Sequence, residues 1–88
     1  MIKSFRHKGH ERFFRKSDPR GIPAQHGSRV GLILSLLDEA SSPEQLSIPD
    51  MFLHPLQGER AMTVSGNWRI TFRFDGEDVI VVNLEDYH

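Results

Sequence analysis

Six residues in the second half of the chain carry side chains suited to breaking a phosphodiester: His54, Arg69, Arg73, Asp86, Tyr87 and His88. Histidine titrates near neutral pH and can take or give a proton. Arginine presents a planar fork of donors that matches phosphate oxygens and can stabilise the charge that develops on them. A carboxylate and a phenol can orient a neighbour, stack or hydrogen-bond. Spacing alone does not bring the six together. A frayed chain end accounts equally well for Asp86, Tyr87 and His88, and a histidine satisfied by local backbone accounts for His54. His7 and His10 stand three apart on a helical stretch, but no third metal ligand follows at a recognisable spacing.

The element that must position these groups is the stretch 65–74. Trp68, Ile70, Phe72 and Phe74 alternate with Arg69, Thr71 and Arg73. Strict period two with aromatic and β-branched residues predicts a strand with one buried face. Ser65-Gly66-Asn67 before it and Asp75-Gly76 after it are hairpin-turn compositions. The arginines then lie on the surface opposite the apolar residues, although an ordinary solvated strand face would carry them just as well. Residues 79–84 are apolar on both faces, as in an interior strand, and 61–64 reads as a short strand paired to the Trp68 strand.

Upstream, 7–16 reads as a basic helix anchored by Phe13 and Phe14, ended by the turn at 17–21. Pro23 opens a second helix that runs to about Ala40. Val30, Ile33, Leu34 and Leu37 form its apolar stripe, widened by Leu32, Leu36 and Ala40. Gly27 and Gly31 lie one helical repeat apart and suggest close approach of another backbone. Pro43, Pro49 and Pro55 make continuous regular structure unexpected over 42–56, where Leu46 and its apolar neighbours pin the segment to the core. Residues 1–5 could add an edge strand. The order is α+β, with two N-terminal helices packed on one face of a small antiparallel sheet.

The totals narrow the class. A chain of 88 residues is one domain, 1–88. Without cysteine there is no disulfide framework, thiolate metal site or thiol nucleophile. No apolar run approaches the ~20 residues that span a bilayer, and no signal-peptide core is visible, so a soluble, cytoplasmic protein is expected. The net charge is only −1, but residues 1–30 hold eight basic and two acidic side chains. That asymmetry suggests a polyanion or an acidic protein as partner.

Several segments together resemble a known family. Ser4-Phe5-Arg6-His7-Lys8-Gly9, Glu11-Arg12-Phe13-Phe14, Leu53-His54-Pro55-Leu56, Gly58-Glu59-Arg60, Gly66-Asn67-Trp68-Arg69-Ile70-Thr71-Phe72 and Glu85-Asp86-Tyr87-His88 look like HigB-type toxins of the RelE/ParE superfamily of bacterial toxin–antitoxin systems. The resemblance runs from end to end. It implies a RelE-like α+β fold and metal-independent cleavage of translated mRNA in the decoding site of the ribosome. The ribose 2′-hydroxyl is the nucleophile and no cofactor takes part. It also implies a HigA-like helix-turn-helix antitoxin, through which the toxin meets operator DNA, and no membrane. Carried over by position, His54 and His88 share general base and general acid work. Asp86 orients a histidine or contacts the nucleotide, and Tyr87 stacks on or hydrogen-bonds to it. Arg69 and Arg73 hold the scissile phosphate, and Lys8 and Arg12 face ribosomal RNA. Gln57 stands where many HigB toxins have lysine, and 61–65 looks shorter than the family pattern. Two alternatives therefore stand beside the endonuclease: a non-catalytic toxin like the gyrase-inhibiting ParE proteins, and a degraded toxin that only binds its antitoxin.

Overall fold

The computed structural model describes residues 1–46, 53–56 and 59–86, with the backbone alone at 43 and 53–56. The helices are α1, Lys8–Lys16, and α2, Gly27–Glu39; the strands are β1, Leu53–Leu56, β2, Glu59–Ser65, β3, Trp68–Asp75, and β4, Asp78–Asp86. Short 3-10 turns occupy Pro19–Gly21, Ala24–His26 and Pro43–Leu46. The strands pair in chain order, β1-β2-β3-β4, all antiparallel. Both helices lie over one face, so the α+β expectation holds. No helix among the described residues is long and apolar enough to cross a membrane.

β3 behaves as its alternation requires. Ile70 and Phe72 are fully buried against Val30, Ile33, Leu34 and Leu37 of α2, while Trp68 and Phe74 pack half-buried at the strand's two ends. Burial of each large apolar side chain contributes about 1.5–3 kcal/mol. Leu32 departs from the predicted stripe and is 49% exposed. At 3.6 residues per turn it points about 150° away from the stripe's centre, so the apolar face is narrower than its composition suggests.

The glycine expectation also changes. A Cβ on Gly31 would meet only the Phe13 ring, at 3.9 Å, and one on Gly27 would meet nothing. The close backbone approach is elsewhere. A Cβ on Gly21 would lie 3.0 Å from the Gly9 Cα, which docks α1 on the Pro19–Gly21 turn. α1 ends at Ser17, whose left-handed backbone (φ 56°) lets Ser17 N–H and Asp18 N–H cap the Phe13 and Arg12 carbonyls.

Two strand expectations are corrected. The proline-rich segment is not irregular throughout, because residues 53–56 form β1 at the sheet edge, where Pro55 costs no ladder bond on the open side. β2 is not clipped to 61–64 but spans seven residues. Its polar ends, Glu59, Arg60 and Ser65, extend it because ladder bonds are made by backbone.

β4 closes the sheet with a bulge. Thr71 pairs with Asn83 but Arg73 pairs with Ile80, so two β4 residues face one of β3. Val81 takes a left-handed φ of 48° there, and its displaced N–H donates to Ser4 Oγ at 2.9 Å. The N-terminal segment runs parallel to β4 through bridges at Ile2–Val79 and Phe5–Val82, short of a full strand. Replacing Phe72 by alanine should cost about 3–5 kcal/mol, a large share of the ~5–15 kcal/mol that holds a domain of this kind. Leu32→Ala should stay within about 0.5 kcal/mol. Urea unfolding of the two variants against the parent checks both values.

Candidate active site

Register places the predicted residues on the sheet. His54 of β1 is opposite Ala61, Ala61 opposite Thr71, and Thr71 opposite Asn83. Directly paired residues share a face, so this row crosses the surface turned away from the helices. The next row is Thr63, Arg69 and Glu85. Arg73 follows Arg69 and Thr71 on the same side of β3. The position of His54 and both arginines therefore lie on one outward face. Arg73 is exposed, whereas Arg69 is half-buried and its Nε donates to Glu85 Oε1 at 2.6 Å.

The remaining predicted residues go elsewhere. Asp86 pairs with Trp68, which puts it on the helix side at the end of β4, across the sheet from Arg69. Lys8 and Arg12 are exposed on α1, also on the helix side. The residues expected to meet RNA are thus divided between the two faces of the sheet. Tyr87 and His88 lie outside the described residues, as does Gln57.

Three features of the outward face were not anticipated. Thr71 and Asn83 are buried, at 2% and 6% exposure, although their strand positions alternate with the core. Among the described residues, Asn83 Oδ1 is buried without a hydrogen-bond partner, a situation that costs about 1–3 kcal/mol. An asparagine inside the apolar run 79–84 was the available signal. Glu85 was the third, and nothing in its local sequence marked it as the partner of Arg69.

On the helix side, His7 and His10 meet edge to face at 5.1 Å. With Ile22, Trp68 and Leu84 they line an open cleft of about 490 Å³, and His26 packs against Trp68 at 5.9 Å. His10 Nδ1 accepts a long bond, 3.5 Å, from Leu84 N–H. Burial, with a smaller contribution from the charge of His7, lowers the His10 pKa below the usual 6.5. Among the described residues no group of three or more His, Cys, Asp or Glu could hold a metal ion. At the end of α1, Arg20 is held by Asp18 at 2.7 Å, which draws the Asp18 pKa down to about 2.

A helix pair on one face of a small antiparallel sheet, with histidine and arginine positions on the other, defines a small α+β protein of the RelE-like kind. Residues 3–88 match the HigB-like toxin family, described as the RelE-like toxin of the type II toxin–antitoxin system HigB, and the chain belongs to that family. A curated relative, "Endoribonuclease HigB" of Proteus vulgaris, is 44% identical over 92 residues, covering the whole of both chains. The aligned length exceeds the 88 residues present here, so a few positions of the relative have no counterpart. As a type II toxin, the chain has an antitoxin as its partner.

His10 gives the fold a pH dependence. Its pKa is depressed in the folded state, so the unfolded chain binds the proton more readily. Its contribution is complete above pH 6.5 and is lost as pH falls from there through the folded-state pKa. Urea midpoints should fall between pH 7.5 and 5.5, and less so in His10→Asn. NMR titration should place the His10 midpoint below 6.5.

Proposed function

We propose that this chain is a ribosome-dependent mRNA endonuclease acting in the bacterial cytoplasm, neutralised by a HigA-like helix-turn-helix antitoxin through which it reaches operator DNA. The observation that carries the reading is the full-length similarity to an endoribonuclease, in a chain whose His54 position shares a sheet face with Arg69 and Arg73. The steps are proton transfers between the chain's side chains and the RNA. One histidine, His54 or His88, takes the proton of the ribose 2′-hydroxyl. The O2′–P bond forms as the P–O5′ bond breaks, and the other histidine protonates the departing 5′-oxygen. This leaves a 2′,3′-cyclic phosphate upstream and a 5′-hydroxyl downstream. Arg69 and Arg73 face the phosphate and stabilise its added charge. Asp86 stands on the helix side of the strand end, away from the His54 position, so of the two histidines it serves His88, and Tyr87 holds the nucleotide.

The exposed cations of α1 have a separate task. Lys8, Arg12 and Lys16 are exposed on the helix layer. They suit ribosomal RNA, with binding that weakens as salt rises.

Inducing the chain in a bacterial cell and mapping mRNA 5′ ends tests the reading. New 5′-hydroxyl ends should fall within translated codons. In a His54→Ala, His88→Ala variant their yield should drop by ~10²-fold or more, the scale of a positioned acid–base group. Growth arrest with intact mRNA would point instead to a ParE-like toxin. A folded chain that neither arrests growth nor cuts RNA would be a degraded toxin that only binds its antitoxin.

A further inference from the structure

We propose that Glu85 is a positioning residue for the endonuclease, holding the Arg69 guanidinium in the pose that meets the RNA phosphate; the assignment rests on the endonuclease reading above. An arginine side chain has four rotatable bonds and ~2 kcal/mol of rotamer freedom to lose. A phosphate clamp is effective only when that freedom has already been removed. Here the neighbouring strand removes it. Arg69 and Glu85 are direct cross-strand partners, and Nε meets Oε1 at 2.6 Å. The contact is made through Nε, the guanidinium nitrogen nearest the chain.

The setting separates this pair from the Arg15–Glu11 and Arg20–Asp18 pairs. Arg69 and Glu85 are 25% and 35% exposed. Arg15 and Glu11 are nearly half exposed at 46% and 44%, and Arg20 is 85% exposed. Both partners of the Arg69 pair are thus shielded, whereas in the Arg20 pair only Asp18 is, at 18% exposed, so solvent and salt screen the Arg69 pair less than these two. Its row also borders the one that holds the His54 position, Thr71 and Asn83.

The sign of the charge makes the assignment testable. A carboxylate beside bound RNA repels the phosphates, so an incidental glutamate would only weaken binding. Its removal would then speed cleavage. A glutamate that sets the arginine's geometry has the opposite effect, and what matters is the reach of its oxygen more than its charge.

Single-turnover cleavage of mRNA on programmed ribosomes, at saturating toxin, separates the two. Glu85→Asp keeps the charge but withdraws the oxygen by one methylene, and the rate should fall roughly tenfold to a hundredfold. Glu85→Gln keeps the oxygen in reach and should rescue the rate to within roughly threefold, because the charge itself is partly screened. In an Arg69→Ala background, Glu85→Asp should change nothing further. Wild-type rates in Glu85→Asp, a faster Glu85→Gln, or an equal slowing without Arg69 would each overturn the assignment while leaving the endonuclease in place. A wild-type chain that cuts no RNA under these conditions would remove the endonuclease reading and the Glu85 assignment with it. Circular dichroism melts of both variants show that a rate change is not a loss of fold.

Discussion

The backbone ladder of Trp68–Asp75 carries this molecule, because β3 is the strand with an extended partner on each edge through most of its length. β2 pairs along one edge and β4 along the other. Its side chains then have no choice of face. Ile70 and Phe72 must go to the helices, and Arg69, Thr71 and Arg73 must go to the opposite surface. A slip of one residue would exchange the two sets and bury guanidinium groups under α2, which fixes the register strongly. The same ladder that forms the core therefore decides where the cations stand.

The neighbours of β3 bend around it. A bulge interrupts the β2 pairing between Thr63 and Ser65, and another the β4 pairing between Thr71 and Arg73. Bulges increase local twist, so the sheet is re-aimed on both sides of the Thr71 row. The β4 bulge displaces the Val81 N–H from the ladder, and a polar backbone group of this kind needs another partner. Ser4 supplies it. Lys3 and Arg6 donate to the Val79 and Val82 carbonyls nearby, and the Ile2 N–H reaches Asp38 at the end of α2. The first six residues thus tie the last strand to the second helix.

The parts of the fold that depend on local periodicity were legible in the sequence. The β3 alternation and the Val30, Ile33, Leu34, Leu37 stripe each predict their own buried face, since one element sets both spacing and burial. What was illegible depends on residues far apart in the chain. Gly9 and Gly21 meet because a turn folds α1 back, and neither glycine's neighbours announce it. β1 forms because β2 offers it an edge, against the local veto of Pro55. Leu32 is the exception: its type suggests core, but the local phase of its own helix already places it outside. In the candidate site, Arg69 and Arg73 could be read from type and alternation, and His54 from its resemblance to a family motif. Asp86 was read as part of a site with them, yet alternation along β4 sends it to the other face, opposite Trp68. Glu85, its immediate neighbour, is the acidic residue that lands beside Arg69.

That one-residue alternation also separates the chain's two sets of cations. Lys8, Arg12 and Lys16 are exposed on the helix layer, and the arginines of β3 lie beyond the sheet. Charges on opposite sides of a folded domain act through solvent over distances where salt screens them. The helix-layer cations can therefore attract a polyanion independently of the arginines at the sheet. Glu85 sharpens the division by partly neutralising Arg69, and Glu59, Asp75 and Asp78 share its side of the sheet by alternation, so the outward face carries no net positive charge among the described residues. Long-range attraction then belongs mainly to the helix layer. Local geometry belongs to the sheet, where Glu85 holds one guanidinium in place, and a fixed group acts on a bound partner more effectively than a mobile one.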